Sequence, residues 1–497
     1  MKYVFSAQAM AEIPSETVIC FAEQFDKIAD KTLVEIDGAT AGAVATLLKA
    51  KEFTGRAGEA VTLYRPSGFR CRRVVLLGLG DRKKKTADSY RKAMGTASRM
   101  TSIMSSGSAA VYFGTQRSES VYQAAVEGYL LGAFRILDYK TGENKRAKHR
   151  LNELQFVLAG KANLRRLEKS VRRGAIIAEG QMLARELTLT PSNLLTPELY
   201  ADKVERLAKE NKIQCRVLDQ KAIEREKMGA FLSVARGSEA PPRFIVLQYK
   251  GGPAGQKPIV LVGKGVTFDS GGISLKPSLD MHEMKQDMAG SAVVVATVIT
   301  ASRLRINRNI VGLAPTAENL PSGHATRPGD IIKSRKGKTV EIINTDAEGR
   351  LLLADALDYA NKFTPQAVID IATLTGATKF ILGYAGAPIL GNNEKLADQI
   401  REASKATSER VWELPIWDDF RDQMKSSIAD LTNSGGKVAG TAAAAAFLEN
   451  FIGDWPWAHI DIAYVDLEPK GTPYVPKGAT GFGVRLLTEL LARWRKV

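Results

Sequence analysis

Pro258-Ile-Val-Leu-Val262-Gly-Lys264-Gly-Val-Thr-Phe-Asp269-Ser-Gly-Gly-Ile-Ser-Leu-Lys276-Pro277 joins a short apolar run to a loop rich in glycine and charge. A run of β-branched residues bounded by such signals predicts a buried strand. The loop that follows carries four glycines before Lys276. Glycines at a strand end let backbone come close to a ligand. In open α/β sheets, ligands collect outside the carboxyl ends of the strands.

Similar apolar runs surround this one: Phe244-Ile-Val-Leu-Gln248, Ile310-Val-Gly-Leu-Ala314, Val340-Glu-Ile-Ile343, Ala367-Val-Ile-Asp-Ile371 and His459-Ile-Asp-Ile-Ala463. Helical patterns follow several of them, which predicts a mixed central sheet covered by helices on both faces. Earlier in the chain, Arg73-Val-Val-Leu-Leu-Gly-Leu-Gly80, Ala109-Ala-Val-Tyr-Phe113 and Leu154-Gln-Phe-Val-Leu158 read as strands, and Asp88 to Met104 as a helix. Gly78-Leu-Gly80-Asp81 is only a fragment of a dinucleotide fingerprint. A helical pattern from Asn163 to Leu187 ends in Leu189-Thr-Pro-Ser-Asn-Leu-Leu-Thr-Pro197. The expected organisation is α/β with two domains: a smaller one over 1–165, a linker helix and loop over 166–190, and a larger one over 191–497. A chain of 497 residues exceeds what one core usually organises.

Composition narrows the class. Apolar residues at 44% and charged residues at 25% suit a globular protein. The apolar stretch Ala292 to Ala301 is about half the ~20 residues a membrane span needs, so it reads as a buried helix and no membrane partner is expected. Lys2 and the short apolar start do not make a secretory leader. Cys20, Cys71 and Cys215 lie far apart, which fits a reducing cytoplasm and neither a disulfide framework nor a zinc knuckle. With only four histidines (His149, His282, His324, His459), a metal site must be mostly oxygen-ligated. The net charge of +16 is concentrated in residues 1–180, where 30 Lys+Arg face 18 Asp+Glu, including Arg82-Lys-Lys-Lys85. Such a face can attract nucleic acid, or it can be a solvated loop.

Two further segments place acids where a fold does not need them. Met284-Lys-Gln-Asp287 precedes the apolar helix, and Asn344-Thr-Asp346-Ala-Glu348-Gly-Arg350-Leu351 lies between a strand and a helix. On an extended segment Asp346 and Glu348 point the same way, whereas on a helix they diverge by about 200°. Asp287 could instead cap the next helix, and Asp346 and Glu348 could be first-turn acids. Lys264 and Lys276 could be solvated. Taken together, four gathered carboxylates repel unless cations neutralise them. Two divalent ions roughly 3.5–4 Å apart bring the matching charge, a known arrangement for hydrolysis.

These segments resemble the leucyl (cytosol) aminopeptidase family. Asn344 to Leu351 reproduces its most specific motif, and the Lys264–Lys276 and Met284–Asp287 segments also match. Further similarity runs through Thr373-Leu-Thr-Gly-Ala377, Asn433-Ser-Gly-Gly436, Ala439-Gly-Thr441 and Lys477-Gly-Ala-Thr-Gly481. The resemblance implies a metallo-aminopeptidase that removes the first residue of a peptide, leucine or another mainly apolar one. Lys264, Asp269, Asp287 and Glu348 would hold one metal, and Asp269, Asp346 and Glu348 the other. A metal-bridging water would attack, bicarbonate held by Arg350 would take its proton, and Lys276 would polarise the scissile carbonyl. Met284, Thr373, Leu374, Gly376 and Ala463, with Lys276, would bind substrate. The metals would be manganese or zinc, the assembly a homohexamer.

Tyr464 stands where the family has glycine, and Asp466 where an apolar residue is common. That departure raises acceptance of basic first residues as an expectation. His282 and His324 flank the segments but match no motif position. One rival is a nucleic-acid-binding or DNA-architectural role through the basic first domain. The other, a serine hydrolase, lacks a Gly-x-Ser-x-Gly elbow.

Overall fold

The computed structural model describes residues 1–103, 106–116, 118–136, 139–141, 151–160, 163–436 and 438–497. His149, and Met104 at the end of the expected helix, lie outside them. The chain divides into two compact units, Met1–Glu179 with Lys470–Lys477, and Gly180–Pro469 with Gly478–Val497. The division falls inside one helix, Leu164–Leu189.

The first unit is built on six strands in the order Lys2–Ala7, Glu153–Leu158, Ser108–Tyr112, Thr17–Glu23, Arg73–Gly80 and Ala60–Tyr64. All pair in parallel except the last, which runs antiparallel. The Arg73 run is buried from Val74 to Gly80, as its unbroken apolar sequence requires of a strand covered on both faces. Lys470–Lys477 belongs here: Arg99 donates to the carbonyls of Thr472 and Pro473 at 3.1 Å, and the Tyr474 hydroxyl meets Asp88 at 3.1 Å.

The second unit is built on a nine-stranded mixed sheet. Its order is Val411–Glu413, Ala387–Gly391, Trp457–Asp461, Ala367–Ala372, Ile259–Gly263, Asn309–Asn319, Arg243–Lys250 and Gln214–Leu218, with Gly265–Asp269 added beside the end of Asn309–Asn319. The four central strands and Gly265–Asp269 are parallel to one another. Alternation assigns their side chains to two cores. Ile259, Leu261, Ile369 and Ile371 face one, with the helix Ala289–Arg303, buried from Ala289 to Ala301. Val260, Val262 and Val368 face the other, with Gly349–Ala360 and Gly440–Glu449. After the Leu189–Pro197 loop, Pro197 opens the helix Pro197–Glu210 and the Thr196 hydroxyl caps it.

One expected strand lies elsewhere. Thr339–Glu341 pairs with Ile331–Lys333 and Leu431–Thr432 in a separate small sheet rather than joining the main one. Its β-branched sequence satisfies either partner equally, and periodicity carries no information about which strand lies beside it.

Candidate metal centre

Parallel pairing brings five carboxyl ends to one edge of the main sheet. Asp269 and Asn319 end paired strands opposite each other, Lys264 leaves Ile259–Gly263, Thr373 leaves Ala367–Ala372, and Asp461 ends Trp457–Asp461. Their side chains therefore converge where such sheets present ligand sites.

Asp269, Asp346 and Glu348 place carboxylate oxygens within 4.8 Å of one another. Asp287 joins them through Lys264, whose ammonium lies 2.8 Å from Asp287 Oδ2 and 2.8 Å from Glu348 Oε1 and donates to the Thr373 carbonyl at 2.9 Å. Lys276 stands 2.8 Å from Asp269 Oδ2 and 2.5 Å from Asp346 Oδ1. All five expected metal-binding residues and Lys276 are thus in one cluster. Asp287 does not cap the next helix: Met288 occupies that position and no side chain caps it. The Asp287 carboxylate instead accepts from the Thr373 hydroxyl at 2.7 Å. The Asp346–Glu348 segment is not extended. It is a turn, with Ala347 N–H donating to the Asn344 carbonyl, and Glu348 is the residue before Gly349–Ala360. The two carboxylates meet through that turn.

Electrostatics in the cluster are unbalanced. Burial pushes the Asp287 carboxyl well above its ordinary range, although Lys264 pulls it down. Burial and then the Asp269 charge raise Glu348 and Asp346 as well. Burial alone would lower Lys264, yet Asp287, Glu348 and Asp269 outweigh it and hold the ammonium above the usual lysine range. Lys276 is raised in the same way, mainly by Asp269. Four carboxylates against two ammonium groups leave an uncompensated negative charge. Glu348 Oε2 is buried with no hydrogen-bond partner among the described residues, and Asp287 Oδ2 and Asp346 Oδ1 have ion-pair contacts but no well-directed hydrogen bond. Orphaned buried anionic oxygens are costly. They fit a donor set for hard divalent cations.

Of the surrounding shell, Asn433 and Asp461 stood in stretches picked out from the sequence, without a role there, and Asn319 in none. Asn319 donates to Asp269 Oδ1 at 2.8 Å and to the Thr345 carbonyl at 3.1 Å. Asn433 accepts from Ile343 N–H and donates to the Asn344 carbonyl, clamping the turn. Asp461 accepts from the amides of Leu374 and Ala463 and from the Thr375 hydroxyl. A polar residue closing an apolar strand is the one local sign each of Asn319 and Asp461 leaves. Gly271 and Gly272 have φ of 88° and 67°, and a Cβ on Gly271 would lie 2.9 Å from Asp346 Oδ1, so the glycine pair is a steric requirement of the cluster.

Arg350 is buried behind Glu348. Burial pushes its guanidinium down to about 10, while Glu348 and Asp461 pull it back up. Its Nε has no hydrogen-bond partner among the described residues, which leaves a donor free for an anion. Met284 lies in the 3-10 helix Met281–Gln286, and Thr373, Leu374 and Gly376 lie in the loop after Ala367–Ala372. The Ala463 carbonyl accepts from the Thr378 hydroxyl at 3.0 Å. His282 and His324 are exposed and belong to no group of metal-ligating side chains among the described residues.

A family model described as the catalytic domain of the cytosol aminopeptidase family matches residues 182–488, and one for the family's N-terminal domain matches 18–143. The chain belongs to the cytosol aminopeptidase family. It is 44% identical to a probable cytosol aminopeptidase of Syntrophotalea carbinolica, covering 94% of this chain and 95% of the relative. It is 43% identical to one from Geobacter sulfurreducens, covering 96% of each. Among solved structures, the bottromycin maturation enzyme BotP in complex with Mn superposes with a TM-score of 0.84 at 32% identity, over 96% of this chain and 99% of that one. A tomato leucine aminopeptidase mutant gives 0.89 at 29% identity, over 99% and 96%. As a cytosol aminopeptidase family member, the protein is a hydrolase of peptides. Among the described residues, no helix is long and apolar enough to cross a membrane.

Proposed function

We propose that the protein is a di-metal aminopeptidase that removes one residue at a time, chiefly leucine and other apolar residues, from the free amino end of peptides. The observation that carries this reading is the buried cluster of Asp269, Asp287, Asp346 and Glu348, with carboxylate oxygens left unpaired beside Lys264 and Lys276. Lys264, Asp269, Asp287 and Glu348 would hold one divalent ion and Asp269, Asp346 and Glu348 the other, with manganese or zinc the expected metals. When bound, the pair supplies Lewis acidity and an activated water.

The chain's own residues do the rest. Lys276 presents an ammonium at the edge of the cluster, where it can donate to the scissile carbonyl and to the oxyanion that develops from it. Arg350 stays charged and is not a general base, since a guanidinium does not give up its proton in this range. Its unspent Nε–H suits a small anion, and bicarbonate there would accept the proton released in hydrolysis. Met284, Thr373, Leu374, Gly376 and Ala463 would receive the first side chain. Thr373 holds Asp287 through its hydroxyl and Lys264 through its carbonyl, linking that pocket to the carboxylates. A cytoplasmic homohexamer completes the reading. A nucleic-acid role through the basic first domain gains no support from Arg82 and Lys85, which both pair with Glu23.

The test is hydrolysis of Leu-p-nitroanilide by chelator-treated protein, with Mn²⁺ or Zn²⁺ restored. Activity is expected to vanish and return, with two ions bound per chain. Equal activity without metal, or saturation at one ion, overturns the proposal.

A further inference from the structure

Tyr464 has φ of 72°, and among the described residues it is the only aromatic one in the left-handed region. A Cβ-bearing, bulky side chain is disfavoured there, so surrounding structure must offset the strain. The Asp466 carboxyl is buried in the same turn: burial pushes it up to about 7, and the nearby backbone of Asp466 and Tyr464 pulls it back down. The turn is closed further by Val465 and Asp466 N–H donating to the Ile462 carbonyl. The two departures from the family pattern therefore belong to one device, a backbone-closed turn that carries the strained aromatic and the buried acid.

That device sits beside the metal centre. Lys264 bonds the Thr373 carbonyl, the next residue Leu374 donates to Asp461, and Asp461 also holds the amide of Ala463, the neighbour of Tyr464. Thr378 donates to the Ala463 carbonyl and closes the link. The Tyr464 ring meets Tyr384 edge-on, with centroids 5.8 Å apart, and Lys379 Nζ lies 5.7 Å from its centre. The ring is thus flanked by two neighbours at the rim of the loop that carries Thr373, Leu374 and Gly376.

We propose that Tyr464 is a specificity-determining residue, an aromatic wall that the first side chain of the peptide meets, selecting large apolar and aromatic first residues over basic ones. This rests on the aminopeptidase reading of the site. Asp466, buried in the same turn, is its positioning residue. The Lys379 ammonium beside the ring adds repulsion against a basic side chain. Selection against basic residues runs opposite to the acceptance of basic first residues that the departures at Tyr464 and Asp466 raised as an expectation, and cleavage of Phe against Arg decides between them.

The experiment compares coumarin amides of Phe, Leu, Ala and Arg on the Mn²⁺-loaded full chain. The wild type is expected to favour Phe and Leu over Arg by at least about tenfold in kcat/KM, the range one apolar contact commands. Tyr464→Gly relieves the backbone strain, so folding is preserved. It should cut kcat/KM for Phe and Leu about tenfold through KM while leaving Ala within about twofold, and Tyr464→Phe should retain the preference. Asp466→Ala should lower the same selectivity in the wild type and have no further effect in Tyr464→Gly, because glycine needs no holding. Arg cleaved as well as Phe by the wild type, or a Tyr464→Gly effect that is equal on all substrates or absent, overturns the proposal. A wild type inert on all four amides overturns the aminopeptidase reading itself, and this inference with it.

Discussion

Lys264 Nζ and Glu348 Oε1 lie 2.8 Å apart inside a site where both side chains are almost wholly buried. The ammonium fills space among carboxylates that would otherwise repel. A lysine amine ligates metal only after losing its proton, so with Lys264 as a proposed ligand, loading the site would expel one. Metal binding is therefore expected to release at least about one proton per chain near neutral pH, with affinity weakening as pH falls. Titration calorimetry in buffers of different ionisation enthalpy measures this. A buffer-independent heat sinks the assignment of Lys264 as a ligand.

Gly349 bears on the same lysine. A Cβ there would lie 2.6 Å from Lys264 Cε and 2.7 Å from Nζ. In a helix, alanine is intrinsically better than glycine by about 1 kcal/mol. Gly349→Ala should therefore fold with nearly unchanged thermal stability yet lose activity by about a hundredfold, because the added methyl group displaces the Lys264 side chain. Retained kcat/KM in a folded variant would contradict this.

Asn319 holds Asp269 from behind. Its amide donates both to Asp269 and to the Thr345 carbonyl, orienting a carboxylate shared by both proposed ions. Residues that orient ligands are typically worth about 10–100-fold in metal affinity. Asn319→Ala should weaken Mn²⁺ binding by that amount and cost about 1–3 kcal/mol of stability from the buried groups left unpaired. Competition with a chelator of known affinity and chemical denaturation read the two effects separately.

His459 Nδ1 sits 2.5 Å from Asp370 Oδ1, and both are fully buried beside Trp457, whose indole N–H donates to Asp370 Oδ2 at 2.7 Å. Burial pushes the imidazole down, but Asp370, followed by Asp461, more than reverses this against the opposition of Arg350, so its pKa is raised above 6.5. A raised histidine contributes stability that is complete below 6.5 and is lost as pH climbs through the folded value. The melting temperature should fall from pH 6.5 toward 9 more steeply in the wild type than in His459→Gln. Parallel curves would remove the charge from this pair.

Much of the site was legible before folding. A glycine-rich loop after an apolar strand marks a ligand-bearing strand end, and acids with no structural task there point to cations. Asp269, Asp346 and Glu348 could be named on those grounds together with the motif, whereas Lys264 came as a ligand only with the family resemblance. Local logic misjudged the route in one case: Asp346 and Glu348 converge through a turn, not along an extended segment. It could not choose between a cap and a cluster role for Asp287, because capping and metal ligation ask for the same carboxylate.

What the residues alone determined were the α/β alternation, the two faces of each buried strand and the composition of the carboxylate set, since periodicity and side-chain chemistry are properties of neighbours along the chain. Tertiary structure alone decided that Thr339–Glu341 pairs outside the main sheet, that Lys470–Lys477 returns to the first unit, and that Asn319 and Asp461 stand behind the acids. It also set Tyr464 in the left-handed region and buried Asp466 in the same turn. Each of these depends on which strand ends and loops meet across tens or hundreds of residues, and that choice is made by packing and hydrogen-bond satisfaction over the whole sheet.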